Sequence, residues 1–202
     1  MFQSAYIDSM HTLSIAILTR ASIATFLIAT AASGQSPPVL NWDLADAQTV
    51  RLAPEKIGAL PLGVRRELAR LGCTVPQVWA VDKPGNFVTG RFSSSSREDI
   101  AVLCSRNRIS SILVFGQAEK PIAELAEAPD KNYLQDVGNG RIGFSRLLEV
   151  APPERIRRYD ASYGGPELPP LDHDGVEESF LEKASIVWYW HAGSWLQLTG
   201  AD

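Results

Sequence analysis

The sequence has little of the material from which catalytic and metal centres are usually built. Only two cysteines and three histidines occur among its 202 residues. Cys73 and Cys104 form neither a Cys-X-X-Cys redox motif nor a pair with zinc-ligand spacing. A Gly-x-Ser-x-Gly nucleophile elbow is also missing. These absences exclude the common signatures of zinc, thiol-redox and serine-hydrolase sites, and no cofactor is expected.

Long apolar runs and an excess of positive charge are missing as well. Arg20 interrupts the apolar residues near the N-terminus, so no run approaches the roughly 20 residues that a membrane-spanning helix needs. The chain has 19 Lys and Arg against 23 Asp and Glu, a net charge of −4, which argues against a nucleic-acid binder. Apolar residues make up 45% and charged residues 21%, a balance typical of a globular rather than a disordered chain.

The N-terminal residues have the layout of a secretory signal peptide. Residues 21–34 form an uncharged, mostly apolar run that ends in small residues. The small-x-small rule allows cleavage after Ala31 or after Gly34, and the chain has two candidate start residues, Met1 and Met10. The alternative, a buried core helix, is disfavoured because the run has no polar face. Since no cysteine follows either cleavage point, a lipoprotein anchor is not expected.

This layout predicts the domain organisation and the compartment. The prediction is a signal peptide over 1–34, a Pro-rich linker over 35–40 and a single globular domain over 41–202. The mature protein would be periplasmic or secreted, with no stable membrane anchor after cleavage. In that compartment an even number of cysteines indicates a disulfide between Cys73 and Cys104, and the alternative is two buried free thiols.

The periodicity of the mature part predicts an α+β fold with a mostly antiparallel sheet. A central hairpin over 99–115 would turn at Asn107-Arg108, with Ile100 opposite Phe115, Val102 opposite Leu113 and Cys104 opposite Ser111. Because this hairpin is apolar on both faces, it should be buried on both. The other predicted elements are helices over 61–71, 121–128 and 153–163, strands over 87–92 and 141–150, and a terminal hairpin over 184–198 with Trp190 opposite Trp195.

One segment resembles a known repeat. Residues 90–102, Gly-Arg-Phe-Ser-Ser-Ser-Ser-Arg-Glu-Asp-Ile-Ala-Val, resemble the loop of FG-GAP or VCBS-type repeats, Gly-Asp-Phe-Asn-Gly-Asp-Gly-x-x-Asp-Leu-Ala-Val. The resemblance implies two strands joined by a loop whose acidic positions hold calcium. Here Arg91 replaces the first aspartate and only Asp99 keeps a carboxylate, so the chain has lost most calcium ligands. We expect Arg91 to pair with Asp99 and to supply the missing positive charge. Beyond this segment, the mature chain resembles uncharacterised exported bacterial proteins.

Three other sets of residues are candidates for function. Asp172, His173 and Asp174, followed by Glu177 and Glu178, are the densest collection of metal-ligand types. The alternative for them is a solvated acidic loop. Five arginines could form a basic surface, or only the solvated face of a helix: Arg141, Arg146, Arg155, Arg157 and Arg158. Four aromatic residues near the C-terminus suit either an exposed stacking surface or core packing: Trp188, Tyr189, Trp190 and Trp195.

These features leave two hypotheses for function. The first is an exported, non-catalytic binding or interaction module, stabilised by a disulfide, whose partner is an extracytoplasmic protein or glycan. The second is a secreted hydrolase whose site is assembled around the loop from Asp172 to Glu178. A deep polar pocket that brings His173 or His191 close to another titratable group would favour the hydrolase, whereas a flat or convex surface with exposed aromatic residues would favour the module.

Overall fold

The structure is a computed structural model and describes residues 39–202. The predicted signal peptide and most of the predicted linker lie outside the described residues. Three α-helices occur in the described part of the chain: α1 (Trp42–Gln48), α2 (Leu62–Arg70) and α3 (Pro153–Tyr163). None of them is long and apolar enough to span a membrane.

Within residues 39–202, twelve strands form antiparallel pairs in four sheets, which confirms the predicted α+β class. The strands are β1 (Arg51–Leu52), β2 (Val75–Pro76), β3 (Phe87–Gly90), β4 (Asp99–Arg106), β5 (Ile109–Phe115), β6 (Pro121–Pro129), β7 (Leu134–Asp136), β8 (Ile142–Phe144), β9 (Arg146–Ala151), β10 (Gly175–Phe180), β11 (Ala184–His191) and β12 (Ser194–Thr199). The two large sheets have the orders β3-β4-β5-β6 and β12-β11-β10-β9. Two small sheets pair β1 with β2 and β7 with β8.

The hairpin of β4 and β5 is the centre of the fold, in the predicted register. Ile100 lies opposite Phe115 and Cys104 lies opposite Ser111. Its turn places both Asn107 and Arg108 at positive φ, 53° and 62°, which matches the right-handed twist of the strands that it joins. One face packs on α2, and the other packs on side chains of β9 and β10. The hairpin is therefore buried on both faces, as predicted.

The disulfide joins α2 to this hairpin. The helix buries Val64 and Leu68 and ends before Gly72, whose φ of 74° lets the chain turn back. The next residue, Cys73, bonds Cys104 with an S–S distance of 2.03 Å. The predicted disulfide is therefore confirmed, and both cysteines belong to the apolar cluster between the helix and the sheet.

Helix α3 and the terminal hairpin follow the prediction closely. Helix α3 starts with Pro153 and ends at Gly164, whose φ is 71°. Its buried residue, Ile156, packs with Val187, Tyr189 and Leu198 of the terminal hairpin. That hairpin places Trp190 opposite Trp195, as predicted.

Four local predictions differ from the structure. The segment from Asp172 to Glu178 was predicted as a loop, but from Gly175 it forms strand β10, which pairs with β9 and β11 and buries both glutamates. Residues 121–128 were predicted as a helix and form strand β6 instead, because pairing with β5 overrides the helical spacing. The predicted strand over 141–150 is divided at Ser145, whose N–H donates to the Tyr133 carbonyl while the next residue starts to pair with β10. Helix α1 was not predicted, although Asn41 caps it by accepting a hydrogen bond from Leu44 N–H at 2.9 Å.

Candidate functional site

Exposed apolar side chains converge on one cleft. Of the ten large apolar side chains exposed in the described part of the chain, five line this cleft. We call it the Trp79 cleft; its walls are α1, the loop over 77–84 and the hairpin of β7 and β8, and its volume is about 810 Å³. The five exposed residues are Val39, Leu44, Val50, Trp79 and Val81. Such a concentration of exposed apolar side chains is typical of an interaction site.

Trp79 is fixed against strand β8 by two contacts. Its N–H donates to the Phe144 carbonyl at 3.0 Å. Its side chain lies against Gly143, where an added Cβ would be only 2.6 Å from the Trp79 Cβ. Only glycine leaves room for this close approach, so Gly143 sets the position of the indole at the cleft.

The loop that carries Trp79 is held at both ends. At one end, the Gln77 side chain accepts a hydrogen bond from Gly85 N–H at 2.9 Å and donates to the Val75 carbonyl at 2.8 Å. At the other end, the buried Asn86 amide donates to the carbonyls of Pro76 and Arg146 at 2.7 and 2.9 Å. Hydrogen bonds therefore hold both ends of the loop, and the residues between them form one wall of the cleft.

A buried charge network holds α1 in place. Arg51 donates to Asp46 at 2.6 Å and to Asp130 at 2.9 and 2.8 Å. Asp130 is fully buried and also accepts a hydrogen bond from Ser105 at 2.6 Å. Because Asp46 belongs to α1 and Ser105 to β4, the network ties the helix wall of the cleft to the central sheet.

The predicted metal ligands do not converge. His173 is buried, and its two ring nitrogens each lie 3.0 Å from a backbone carbonyl oxygen, one of Asp174 and one of Trp190. Asp174 accepts a hydrogen bond from Arg91 N–H at 3.0 Å, whereas the Asp172 side chain is exposed. Across residues 39–202, no group of three or more Asp, Glu, His or Cys side chains could hold a metal ion.

The two glutamates that follow point to opposite faces of β10. Glu177 accepts hydrogen bonds from Tyr159 at 2.8 Å, Ser185 at 2.7 Å and Arg155 at 3.0 Å. Glu178 lies in the other direction and accepts hydrogen bonds from three side chains: Arg146, Tyr133 and Trp188. Both carboxylates are buried and accept hydrogen bonds from these partners, so Glu177 and Glu178 do not face one common site.

The environment of Tyr159 predicts a dependence of stability on alkaline pH. Burial, followed by the hydrogen bond to Glu177 and its negative charge, raises the pKa of Tyr159 to about 12, against the opposing charge of Arg155. In the unfolded chain a tyrosine ionises near pH 10. Its contribution to stability is therefore complete below pH 10 and is lost as the pH rises towards 12.

We expect Tyr159→Phe to reduce the fall in the free energy of unfolding between pH 10 and 12, measured by urea denaturation. Tyr163→Phe is the matched control, because Tyr163 is half exposed on the same helix. Equal slopes for Tyr159→Phe and the wild type would contradict this prediction.

The C-terminal aromatic residues belong mainly to the core. Tyr189 is fully buried and stacks on His173 with ring centroids 4.3 Å apart. Trp188 and Trp195 pack against the apolar cluster between the two large sheets. The ring centroids of Trp190 and Trp195 are 5.7 Å apart. Tyr189 thus faces one side and Trp188 the other, as the alternation predicted. These residues do not form an exposed stacking surface of four rings.

The predicted pair of Arg91 and Asp99 is wrong. Asp99 is buried, accepts hydrogen bonds from Ser93 N–H and Oγ at 2.7 and 2.6 Å, and lies 3.4 Å from Arg97. Arg91 instead lies 3.7 Å from Asp174. The positive charge beside Asp99 comes from Arg97 because that residue is in the same loop and reaches back across it.

The sequence held two signals for the Trp79 cleft that were not recognised. Asn41 followed by Trp-Asp-Leu-Ala-Asp-Ala-Gln is a capped helix start. Val-Trp-Ala-Val at 78–81 is an apolar run bounded by Pro76 and Pro84, which favours a loop over a buried strand.

No family model, curated protein or solved structure matches this chain. We therefore infer the function from the cleft and the buried networks of this chain alone.

Proposed function

We propose that this protein is an exported, disulfide-stabilised binding module and that the Trp79 cleft is its binding site. The observation that carries the proposal is the concentration of exposed apolar side chains on this one concave surface. Water is displaced from such side chains when a partner binds, and this contributes roughly 25 cal/mol for each Å² of apolar surface buried. The volume of about 810 Å³ is within the usual range of ligand sites.

The partner is proposed to be an extracytoplasmic protein rather than a glycan. Five of the exposed lining side chains are large and apolar, whereas a glycan is bound mainly through convergent hydrogen-bond donors and acceptors. The hydrolase alternative has no comparable support. His173, Glu177 and Glu178 are all buried, and each is occupied by other groups of the fold.

Export is supported by the confirmed disulfide, because such bonds persist in oxidising compartments. We expect the intact mass of protein from the native host to correspond to a chain that begins at Ala32 or at Gln35. Both cysteines should be alkylated only after reduction. A full-length mass with freely alkylated cysteines would contradict export.

Binding in the cleft can be tested with Nile red, a neutral dye that fluoresces in apolar sites. Leu44→Asp places a charge on the cleft wall and is expected to weaken dye binding by roughly tenfold or more, since burying a leucine contributes about 1.5 to 3 kcal/mol. Fluorescence titration of both proteins measures the difference.

Leu62→Asp is the matched control. Leu44 and Leu62 both lie in the first turn of a helix and are 51% and 53% exposed, but only Leu44 lines the cleft. The control should bind Nile red like the wild type. If the two variants bind the dye equally, the Trp79 cleft is not the binding site.

A further inference from the structure

Strand β8 has a free edge that faces away from β7. Within this hairpin, the Arg141 carbonyl accepts a hydrogen bond from Val137 N–H at 2.9 Å, and Ser145 N–H donates to the Tyr133 carbonyl at 2.8 Å. In an antiparallel pair, hydrogen-bonded positions alternate with positions whose backbone groups point to the other edge. Since Arg141 and Ser145 immediately flank β8, the first and last residues of the strand direct their N–H and C=O groups outwards.

The outer edge of β8 is only partly used. The Phe144 carbonyl accepts a hydrogen bond from Trp79 N–H at 3.0 Å. Beyond Trp79 the chain turns, with Val81 N–H donating to the Val78 carbonyl at 3.2 Å. In the described part of the chain, neither the N–H nor the C=O of Ile142 has a backbone partner at this edge. An unpaired donor and acceptor thus stand beside the cleft that Ile142 lines.

The charges on the cleft favour an acidic partner. Its charged lining residues are Lys83, Arg141 and Asp82. Neither cation forms an ion pair with any residue from 39 to 202. This local excess of positive charge stands out in a chain whose net charge is −4, and it complements a carboxylate on the ligand.

We infer that the Trp79 cleft takes an extended, acidic segment of a partner protein, which adds as a short strand to the free edge of β8. The inference rests on the proposed binding function and names its ligand class. Hydrogen bonds to Ile142 align the segment, alternate apolar side chains enter the cleft, and a carboxylate meets Lys83 or Arg141. A free strand edge next to an apolar groove is the arrangement that strand addition requires.

Two pools of synthetic octapeptides provide the probe. Both pools have the same composition of Val, Leu, Ile, Phe, Ser, Thr and Glu. In one pool apolar and polar residues alternate, whereas in the other the apolar residues are grouped together. Affinity selection on the full protein, read by mass spectrometry, should enrich the alternating pool and, within it, peptides that contain glutamate.

Ile142→Pro tests the backbone contact directly. Because the Ile142 N–H points to the free edge, proline removes a donor there without removing a hydrogen bond to β7. The selected peptides should bind this variant roughly tenfold more weakly. Ile142→Val is the matched control, since it keeps the N–H and most of the side chain, and its affinity should stay close to that of the wild type.

N-methylation of the peptide gives a second readout that does not depend on the folding of a variant. A methyl group should weaken binding at the one peptide nitrogen whose N–H donates to the free Ile142 carbonyl, whereas methyl groups at the two neighbouring nitrogens, which face away from β8, should have little effect. Equal enrichment of both pools, enrichment of neither, or equal effects of all methyl groups would overturn the inference. If the peptide results fail in this way but Leu44→Asp still weakens Nile red binding, the cleft is a site for a small apolar ligand. If Leu44→Asp leaves Nile red binding unchanged, the proposed binding function itself is wrong.

Discussion

Arg146→Leu is expected to lower the free energy of unfolding by about 3 to 5 kcal/mol, because it leaves the Glu178 charge buried and uncompensated. Arg146 is fully buried, and its Nε donates to Glu178 Oε1 at 2.9 Å. One terminal nitrogen donates to the Ser110 carbonyl and hydroxyl at 2.8 and 2.7 Å, and the other donates to the Ala126 carbonyl. Urea denaturation of the variant and the wild type measures the loss.

A second substitution distinguishes the two contributions to this loss of stability, the uncompensated charge of Glu178 and the lost packing of Arg146. Glu178→Gln should destabilise the wild type, because it breaks the ion pair. In the Arg146→Leu background it should instead raise stability by roughly 1 to 2 kcal/mol, since a neutral amide carries no uncompensated charge and still accepts a hydrogen bond from Trp188. The prediction is wrong if Glu178→Gln is equally destabilising in both backgrounds.

Arg70→Leu provides a surface comparison. Arg70 also pairs with a glutamate, Glu67, at 2.6 Å, but its side chain is 63% exposed. Water screens this pair, so it should contribute much less to stability than the buried pair of Arg146 and Glu178. A loss as large as that of Arg146→Leu would show that burial is not the origin of the effect.

Arg146 matters because it joins the two large sheets. It belongs to β9, and its partners Ser110 and Glu178 belong to β5 and β10. The pairing of β5 with β6 shifts register between Ser110 and Ile112, and Ala126 takes a φ of 56°. This β-bulge turns the Ala126 carbonyl towards the guanidinium, which explains why β6 departs from regular pairing at that point.

The successes of the sequence prediction concern local features. The register of β4 and β5 followed from one two-residue turn and strict alternation of side chains. The end of α2 followed from Gly72, and the disulfide followed from the even number of cysteines. In each case the residues that determine the structure are neighbours in the chain or form a unique pair.

The failures concern residues whose partners are distant in the sequence. Arg146 was assigned to a basic surface, yet its counter-ion lies 32 residues away and on another strand. Residues 121–128 fit a helix by spacing, and only pairing with β5 makes them a strand. The Trp79 cleft joins α1, the loop over 77–84 and the hairpin of β7 and β8. Periodicity cannot identify such a surface, because it contains no information on which segments meet.

Cys73→Ala/Cys104→Ala is expected to lower the free energy of unfolding by about 3 to 4 kcal/mol. The cysteines are 31 residues apart, and cutting the link restores conformational freedom to the unfolded chain. Both side chains are buried between α2 and the central hairpin, so alanine also removes some packing. Urea denaturation measures the total, and the dependence on urea should become steeper because the unlinked chain exposes more surface.

Reduction of the wild-type protein distinguishes the contribution of the covalent link to stability from the contribution of side-chain packing. The reduced protein keeps both sulfurs in the core but loses the link, so it should show most of the loss seen in the double variant. If reduction has no effect on stability while the double variant is strongly destabilised, the contribution comes from packing and not from the disulfide. Folded domains have a total stability of only about 5 to 15 kcal/mol. Losing about 3 to 4 kcal/mol of it would raise the unfolded population roughly 100- to 1000-fold, so the proposed binding module would be folded less completely in a reducing compartment than in an oxidising one.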